Sequence, residues 1–413
     1  MKAITFLGAS KAFETVYVMP DGREHTAPFF GVALARFYPD LSMRVFVTRA
    51  AREMHLAHFQ TLVEDYVADL EPVDIPDGAG EEELWTLFQA VVDQIEDGEQ
   101  VIFDITHGFR SLPFLSFLAA AYLRTVKEVD LQAVFYGNFE ARDRSVTPNR
   151  APVIDLTHFV ALFDWMTAAD RFVRFGDARD LAAQLRETRP DHRTASREAL
   201  GDWSRTVGQA AKAMEQVSTA LRLIRPAEAM EASQVLRSQL LDAMERIGHH
   251  ARPFRPLSQR VIDAYAPLAL DKATLGQDPV TALAVERELV HWYLERNQLV
   301  QAIAVAREWL VTWAMLHLGR TDVLDRSARG EVERMFGGIL QSRRKKRKSL
   351  LDPLFANVPQ AELAVGLFGQ IGEVRNDILH AGKRRGAMGA STLEKKVRDL
   401  CQRLEDLPLP ASL

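Results

Sequence analysis

Two short stretches of this 413-residue chain carry side chains suited to phosphate chemistry. The first is Ile371–Gly382, IGEVRNDILHAG, in which Arg375 and His380 stand five positions apart. A guanidinium can neutralise charge on a phosphoryl transition state, and an imidazole can carry a proton to or from a reacting hydroxyl. Asn376 adds a neutral group able to orient backbone or substrate. Of the 11 histidines, only His380 follows an arginine at this spacing. Five positions correspond to about 140° around a helix, so the pair does not share one face. Two copies brought together in a dimer would instead place four side chains around a narrow cleft. The plainer alternative is a helix salt bridge beside a surface histidine. Ile371, Val374, Ile378 and Ala381 recur at helical spacing and predict a buried stripe. Gly382 predicts the helix stop, which puts His380 in the last turn. Asp377, a single carboxylate without an acidic cluster, reads as a supporting or surface group and specifies no metal.

The second stretch is Val101–Pro113, VIFDITHGFRSLP. Its apolar run predicts a buried parallel strand, and Leu112–Leu123 predicts a helix. Between them lie Thr106, His107, Gly108, Phe109, Arg110 and Ser111. A polar turn between a strand end and a helix start is where open α/β sheets bind ligands, and an anion is the natural guest. The alternative is a turn ordered by its own side chains. Gly8, Ala9 and Ser10 follow a first predicted strand, Ala3–Leu7, in the same way. They form no GxGxxG fingerprint, so dinucleotide binding gains little support. Lys11 is either a ligand contact or a solvated side chain. Tyr136, Gly137 and Asn138 stand at a third strand end.

These stretches need a scaffold. Strands at Ala3–Leu7, Thr15–Val18, Met43–Val47, Asp69–Ile75, the central run and Val129–Tyr136 alternate with helices at Phe29–Phe37, Met54–Tyr66, Glu82–Ile95 and Leu112–Leu123. That alternation predicts a mostly parallel α/β domain over residues 1–160, helices on both faces. Arg142–Arg150 reads as a polar loop. From about Asp155 the pattern is helical, with a helical section at 161–277 and a further one at 278–413 whose long helices are Thr281–Glu295, Leu299–Leu318 and Leu363–Ala381. Pro253 and Pro256 predict the end of a helix. Phe159, Phe163, Trp165, Phe172 and Phe175 read as packing aromatics. Arg343–Lys348, RRKKRK, is the sharpest charge feature, fit to meet phosphates or to form a solvated loop.

Composition bounds the class. The chain is 47% hydrophobic and 26% charged, as in globular proteins. With 51 Lys plus Arg against 56 Asp plus Glu, the formal charge is -5, so a polyanion site must be local. One cysteine, Cys401, excludes an internal disulfide framework and suits a reducing compartment. The first residues lack a convincing signal-peptide core, and no apolar run suggests a membrane span. A cytoplasmic location is expected.

In the order FLGAS, DITHGFRSLP, YGN and RNDILH, the chain resembles the ancillary ribonucleases of type III CRISPR systems. These join an amino-terminal CRISPR-associated Rossmann fold (CARF) to a carboxyl-terminal helical HEPN domain. The resemblance implies an α/β plus all-α fold: a Rossmann-like CARF sensor at 1–160, a helical connector at 161–277 and a HEPN ribonuclease domain at 278–413. It implies a cyclic oligoadenylate as allosteric activator, of a ring size the sequence does not fix, made when a CRISPR effector detects foreign RNA. The link to that effector is functional and needs no stable complex. It further implies a homodimer, with room for higher assembly, that cuts single-stranded RNA without a metal or a membrane. Carried onto this sequence, the sensing loops are Gly8, Ala9 and Ser10 with Thr106, His107, Gly108, Arg110 and Ser111. The ribonuclease motif is Arg375, Asn376 and His380. The GAS loop departs from the glycine- or threonine-richer versions. Two other readings stand beside this one: a nonenzymatic nucleotide-responsive regulator that binds RNA or protein through Arg343–Lys348, and a CARF protein that degrades its own activator.

Overall fold

The computed structural model describes residues 1–107, 112–188, 196–247, 254–349, 352–355, 358–383 and 385–411. It divides into two compact units, Met1–Asp164 and Trp165–Leu413. The first is mixed α/β and the second is all-helical.

The amino-terminal unit is built on eight strands: Lys2–Leu7 (β1), Thr15–Val18 (β2), Glu24–Ala27 (β3), Leu41–Val47 (β4), Val67–Asp74 (β5), Gln100–Asp104 (β6), Asp130–Gly137 (β7) and Asn149–Asp155 (β8). Their order in the sheet is β3-β2-β8-β7-β6-β1-β4-β5. The pairs β1–β4, β1–β6, β4–β5 and β6–β7 are parallel, as a buried strand with helices on both faces requires. Every residue of β1 is buried. β4 and β5 extend the sheet on one side of β1, and β6 and β7 extend it on the other. The order therefore reverses between β1 and β6, and the loops leaving those two strands flank the switch point where open sheets bind ligands.

Two apolar cores sandwich this sheet. One joins Leu7, Met43, Val45 and Ile102 to Phe30 and Leu34 of the Phe30–Phe37 helix and to Phe59. The other joins Ile4, Phe6 and Phe103 to Leu87, Val91, Ala120 and Leu123 of the Glu81–Asp93 and Leu112–Val126 helices. The expected Met54–Tyr66 helix begins earlier, at Arg49, and passes through one π-helical turn, Arg52–Leu56, before continuing as Ala57–Val63. The loop expected over Arg142–Arg150 ends in β8, which runs antiparallel to β7 and parallel to β2. Strand β3 was also unexpected; it pairs only with β2, antiparallel, at the sheet's edge.

One continuous core runs through the helical unit from Trp165 to Leu407. Trp165 and Phe172 are buried in it, whereas Phe175 is more than half exposed. Pro253 lies outside the described residues, and Pro256 falls in the first turn of the Phe254–Tyr265 helix rather than ending one, because its missing N–H has no intrahelical partner there. The Leu299–His317 helix is long and apolar enough by composition to cross a membrane. Here it is a core helix, with Trp309, Leu310, Val311, Trp313 and Ala314 fully buried.

Candidate functional site

The ends of β1, β6 and β7 open onto one cavity of about 380 Å³. Gly8, Ser10, Thr106 and His107 line it, with Tyr136 and Gly137 at the end of β7. Ala9 is exposed beside the cavity and is not part of its wall. Gly108, Arg110 and Ser111 lie outside the described residues. Asn138 accepts a hydrogen bond from the Ala141 amide at 3.2 Å and caps the following turn.

Close backbone approach makes this wall. A Cβ on Gly8 would fall 2.6 Å from the His107 carbonyl oxygen, and one on Gly137 would fall 3.0 Å from the Tyr17 ring and 3.2 Å from the Thr106 methyl. Glycine at these two strand ends lets three loops converge. Beneath them runs a chain of hydrogen bonds. Buried Asp104 accepts from the Thr5 hydroxyl at 2.6 Å and from the Thr106 amide at 2.8 Å, and the Thr106 hydroxyl accepts from the Gly137 amide at 2.8 Å. β1, β6 and β7 are thereby tied where they meet the cavity. Burial pushes the Asp104 carboxyl up to about 6 despite those donors, because a charge removed from water is costly.

His107 is held as a neutral acceptor. Its Nε2 receives the Phe30 amide at 3.0 Å, at the start of the Phe30–Phe37 helix, so the ring proton belongs on Nδ1. Burial, reinforced by nearby His55, pushes its pKa down to about 4. The imidazole therefore positions the turn against a helix start and brings no positive charge to an anion. Among the described residues that line this cavity, the cation is Lys11, which is exposed.

Several wall residues escaped the sequence reading. Phe13, Tyr17, Phe29, Phe139 and Glu140 all line the cavity. His55, in the π-helical turn, bonds the Ser10 carbonyl at 2.9 Å and packs edge-on to Phe29 at 5.2 Å. An inserted π turn re-aims side chains and recurs at functional sites, but nothing in RAAREMHL announces it.

The second candidate centre ends the Ala361–Leu379 helix. Ile371 and Val374 are buried and Ile378 is partly buried, as the apolar stripe requires, while Ala381 is exposed. Arg375 is half-buried, and Asn376 and His380 are exposed. Among the described residues, none of these three side chains is held in a hydrogen bond or ion pair. The helix ends at Leu379, with His380 as its cap and the left-handed turn beginning one residue before the expected glycine, at Ala381. The Ala381 amide bonds the Ile378 carbonyl at 2.9 Å and the Gly382 amide the Asp377 carbonyl at 3.2 Å, with Ala381 at φ 52° and Gly382 at φ 67°. This is a Schellman closure with alanine at the left-handed position.

Asp377 is not a surface group. It is 1% exposed, and its carboxylate accepts the Met388 amide at 2.9 Å, so it pins the segment after the helix against the turn that displays His380. The basic run is only partly a loop: Arg343 and Arg344 close the Arg326–Arg344 helix. Arg343 pairs with Glu362 at 2.7 Å and Arg344 with Glu373 at 2.8 Å, which ties the run to the helix carrying Arg375. Among the described residues, no group of three or more His, Cys, Asp or Glu converges as a metal site.

Comparison with known proteins adds a setting. Residues 161–267 match the family model described as CRISPR-associated protein MJ1674, second domain. The chain is similar to CRISPR-associated protein MJ1674 of Methanocaldococcus jannaschii, 24% identical over 140 residues, which is 31% of this chain and 22% of that protein. The match thus spans about a fifth of the curated relative's length. Among solved structures, the chain is similar to Enterococcus italicus Csm6 bound to cyclic hexa-2'-fluoro-hexa-dAMP, at 10% identity and a TM-score of 0.46, over 98% of this chain and 93% of that one.

Proposed function

We propose that the protein is a cyclic-oligoadenylate-activated, metal-independent endoribonuclease of type III CRISPR defence, working as a homodimer. The observation that carries this reading is the end of the Ala361–Leu379 helix. There Arg375, Asn376 and His380 stand without partners among the described residues, beside a basic run anchored to the same helix by Glu362 and Glu373. The match of residues 161–267 to a CRISPR-associated family supports the biological setting.

In the proposed reaction the 2′-oxygen of the substrate ribose attacks the adjacent phosphorus and loses its proton. The bond from phosphorus to the 5′-oxygen breaks, and that oxygen takes up a proton. The products carry a 2′,3′-cyclic phosphate and a 5′-hydroxyl. His380 transfers a proton or positions the phosphate, and Arg375 offsets the charge that builds on the phosphoryl oxygens. Asn376 orients the substrate. In the amino-terminal unit, the cavity of Gly8, Ser10, Thr106 and His107 takes the activator, with Gly108, Arg110 and Ser111 proposed from the same turn and Ala9 at its edge. Activation requires the ring to bind the cutting arrangement more tightly than the resting one, since equal affinity shifts no population.

Labelled RNA, EDTA and each cyclic oligoadenylate in turn test this reading. Wild type should cut only with activator and leave the stated ends, and folded His380→Ala and Arg375→Ala proteins should lose most turnover while still binding the ring. Activity abolished by EDTA, or normal activated cleavage by both variants, overturns the proposal.

A further inference from the structure

Two aromatic rings of the amino-terminal cavity belong to neither apolar core that flanks the sheet. Phe13 lies in the loop after β1 and is 47% exposed; Phe139 directly follows β7 and Asn138. Their rings lie nearly parallel, at an interplanar angle of 14° with centroids 5.8 Å apart, and both line the cavity. A cation stands by each ring. Lys11 Nζ is 5.4 Å from the Phe13 centroid, and the Arg142 guanidinium carbon is 3.9 Å from that of Phe139. Arg142 also donates to the Phe139 carbonyl at 2.8 Å, so ring and guanidinium form a braced unit.

An exposed phenylalanine gains nothing in water, and two flat rings held parallel at a cavity mouth are the surface on which a nucleobase stacks. The charges divide the cavity. Gly8, Ser10 and Lys11 supply backbone amides and a cation on the β1 side, whereas Glu140 on the β7 side repels phosphate. Resting on the sensor reading given above, we propose that Phe13 and Phe139 form a purine-stacking step for the cyclic oligoadenylate, with Lys11 taking the adjoining phosphate. Stacking on this step would set the preference for adenylate rings over pyrimidine rings, which offer a smaller face.

Titration of the full chain with fluorescent cyclic tetra- and hexa-adenylate tests this. Phe13→Leu and Phe139→Leu keep apolar bulk but remove the π-face, and each should weaken binding at least about five-fold, the lower end of measured base–aromatic stacking. Phe13→Trp should keep the affinity, and its indole fluorescence should be quenched by the ring. Lys11→Ala should weaken binding more at low salt than at high salt. If wild type binds a ring and both leucine variants bind within about two-fold of it, the stacking step is wrong and the sensor reading survives. Absence of wild-type binding to either ring overturns both together.

Discussion

Gly8→Ala isolates the contact on which the amino-terminal cavity depends. The added methyl carbon would sit 2.6 Å from the His107 carbonyl oxygen, about 0.8 Å short of the 3.4 Å at which ordinary contact begins. The obstacle is backbone, so no rotamer change relieves it. Either β1's loop or the turn after β6 must retreat, and retreat of that turn draws His107 Nε2 away from the Phe30 amide it holds at 3.0 Å. Overpacking of this kind costs about 1–3 kcal/mol, and the strained hydrogen bond adds about 1 kcal/mol. The chain has two compact units, so a single melting temperature would blur the effect. Hydrogen exchange read by mass spectrometry is local: for a total of about 2–4 kcal/mol, peptides covering Phe29–Phe37 and Val101–His107 should exchange roughly thirty- to nine-hundredfold faster. Ring affinity should fall with them. Gly208→Ala provides the control, since a Cβ there meets nothing within 4 Å and a helix interior favours alanine by about 1 kcal/mol. Wild-type exchange in Gly8→Ala would refute the claim that close backbone approach builds the cavity.

Four further outcomes follow from the structure. His107 should stay neutral well below pH 6, with its proton on Nδ1, by nitrogen-detected NMR of the imidazole. Because its folded pKa lies below the unfolded value, its contribution to stability is present above about pH 6.5 and is lost as the pH falls towards 4; a ring that titrates normally contradicts this. Glu373→Gln should free Arg344 and shift the helical unit's stability by less than about 1 kcal/mol, an exposed ion pair being worth little. Reversing all six charges of Arg343–Lys348 should weaken RNA capture most at low salt, and an unchanged salt slope would exclude phosphate contact. Ala381→Gly should stabilise the helical unit by up to about 1 kcal/mol in urea unfolding, because alanine occupies a left-handed position at φ 52°; a destabilised variant would deny the Schellman closure.

What the sequence disclosed depended on whether the signal was local. β6 and the Leu112–Val126 helix were legible because an apolar run and its boundaries lie within a few residues of one another. β8 was not, since Asn149, Arg150, Pro152 and Asp155 dilute its pattern and only Ala151 and Val153 are buried. β3, with Glu24 and Thr26 exposed, offered even less. The convergence of Gly8 with Thr106 and His107 could be anticipated from strand polarity alone, because parallel strands on either side of a switch point end on the same side. Phe13 and Phe139 could not be paired in advance, for the loop carrying Phe13 leads into β2, which reaches the β7 side of the sheet only through pairing with β8.

The helix end that carries His380 shows the same division at closer range. Its buried stripe of Ile371, Val374 and Ile378 followed from spacing, and so did the exposure of Asn376 and His380 on the remaining surface. Of the two roles open to Asp377, supporting or surface, the structure gives the supporting one, which the helical wheel could not decide because it says nothing of the chain that returns over it after Gly382. A carboxylate 1% exposed, accepting the Met388 amide, must be satisfied where it lies or it would cost several kcal/mol. The left-handed backbone of Ala381 is tolerated for the same reason: the Ala381 and Gly382 amides are both satisfied, and the Asp377 carboxylate holds the Met388 amide. The motif of Arg375, Asn376 and His380 therefore omits the buried carboxylate among them, Asp377, that holds the turn on which the exposed imidazole is displayed.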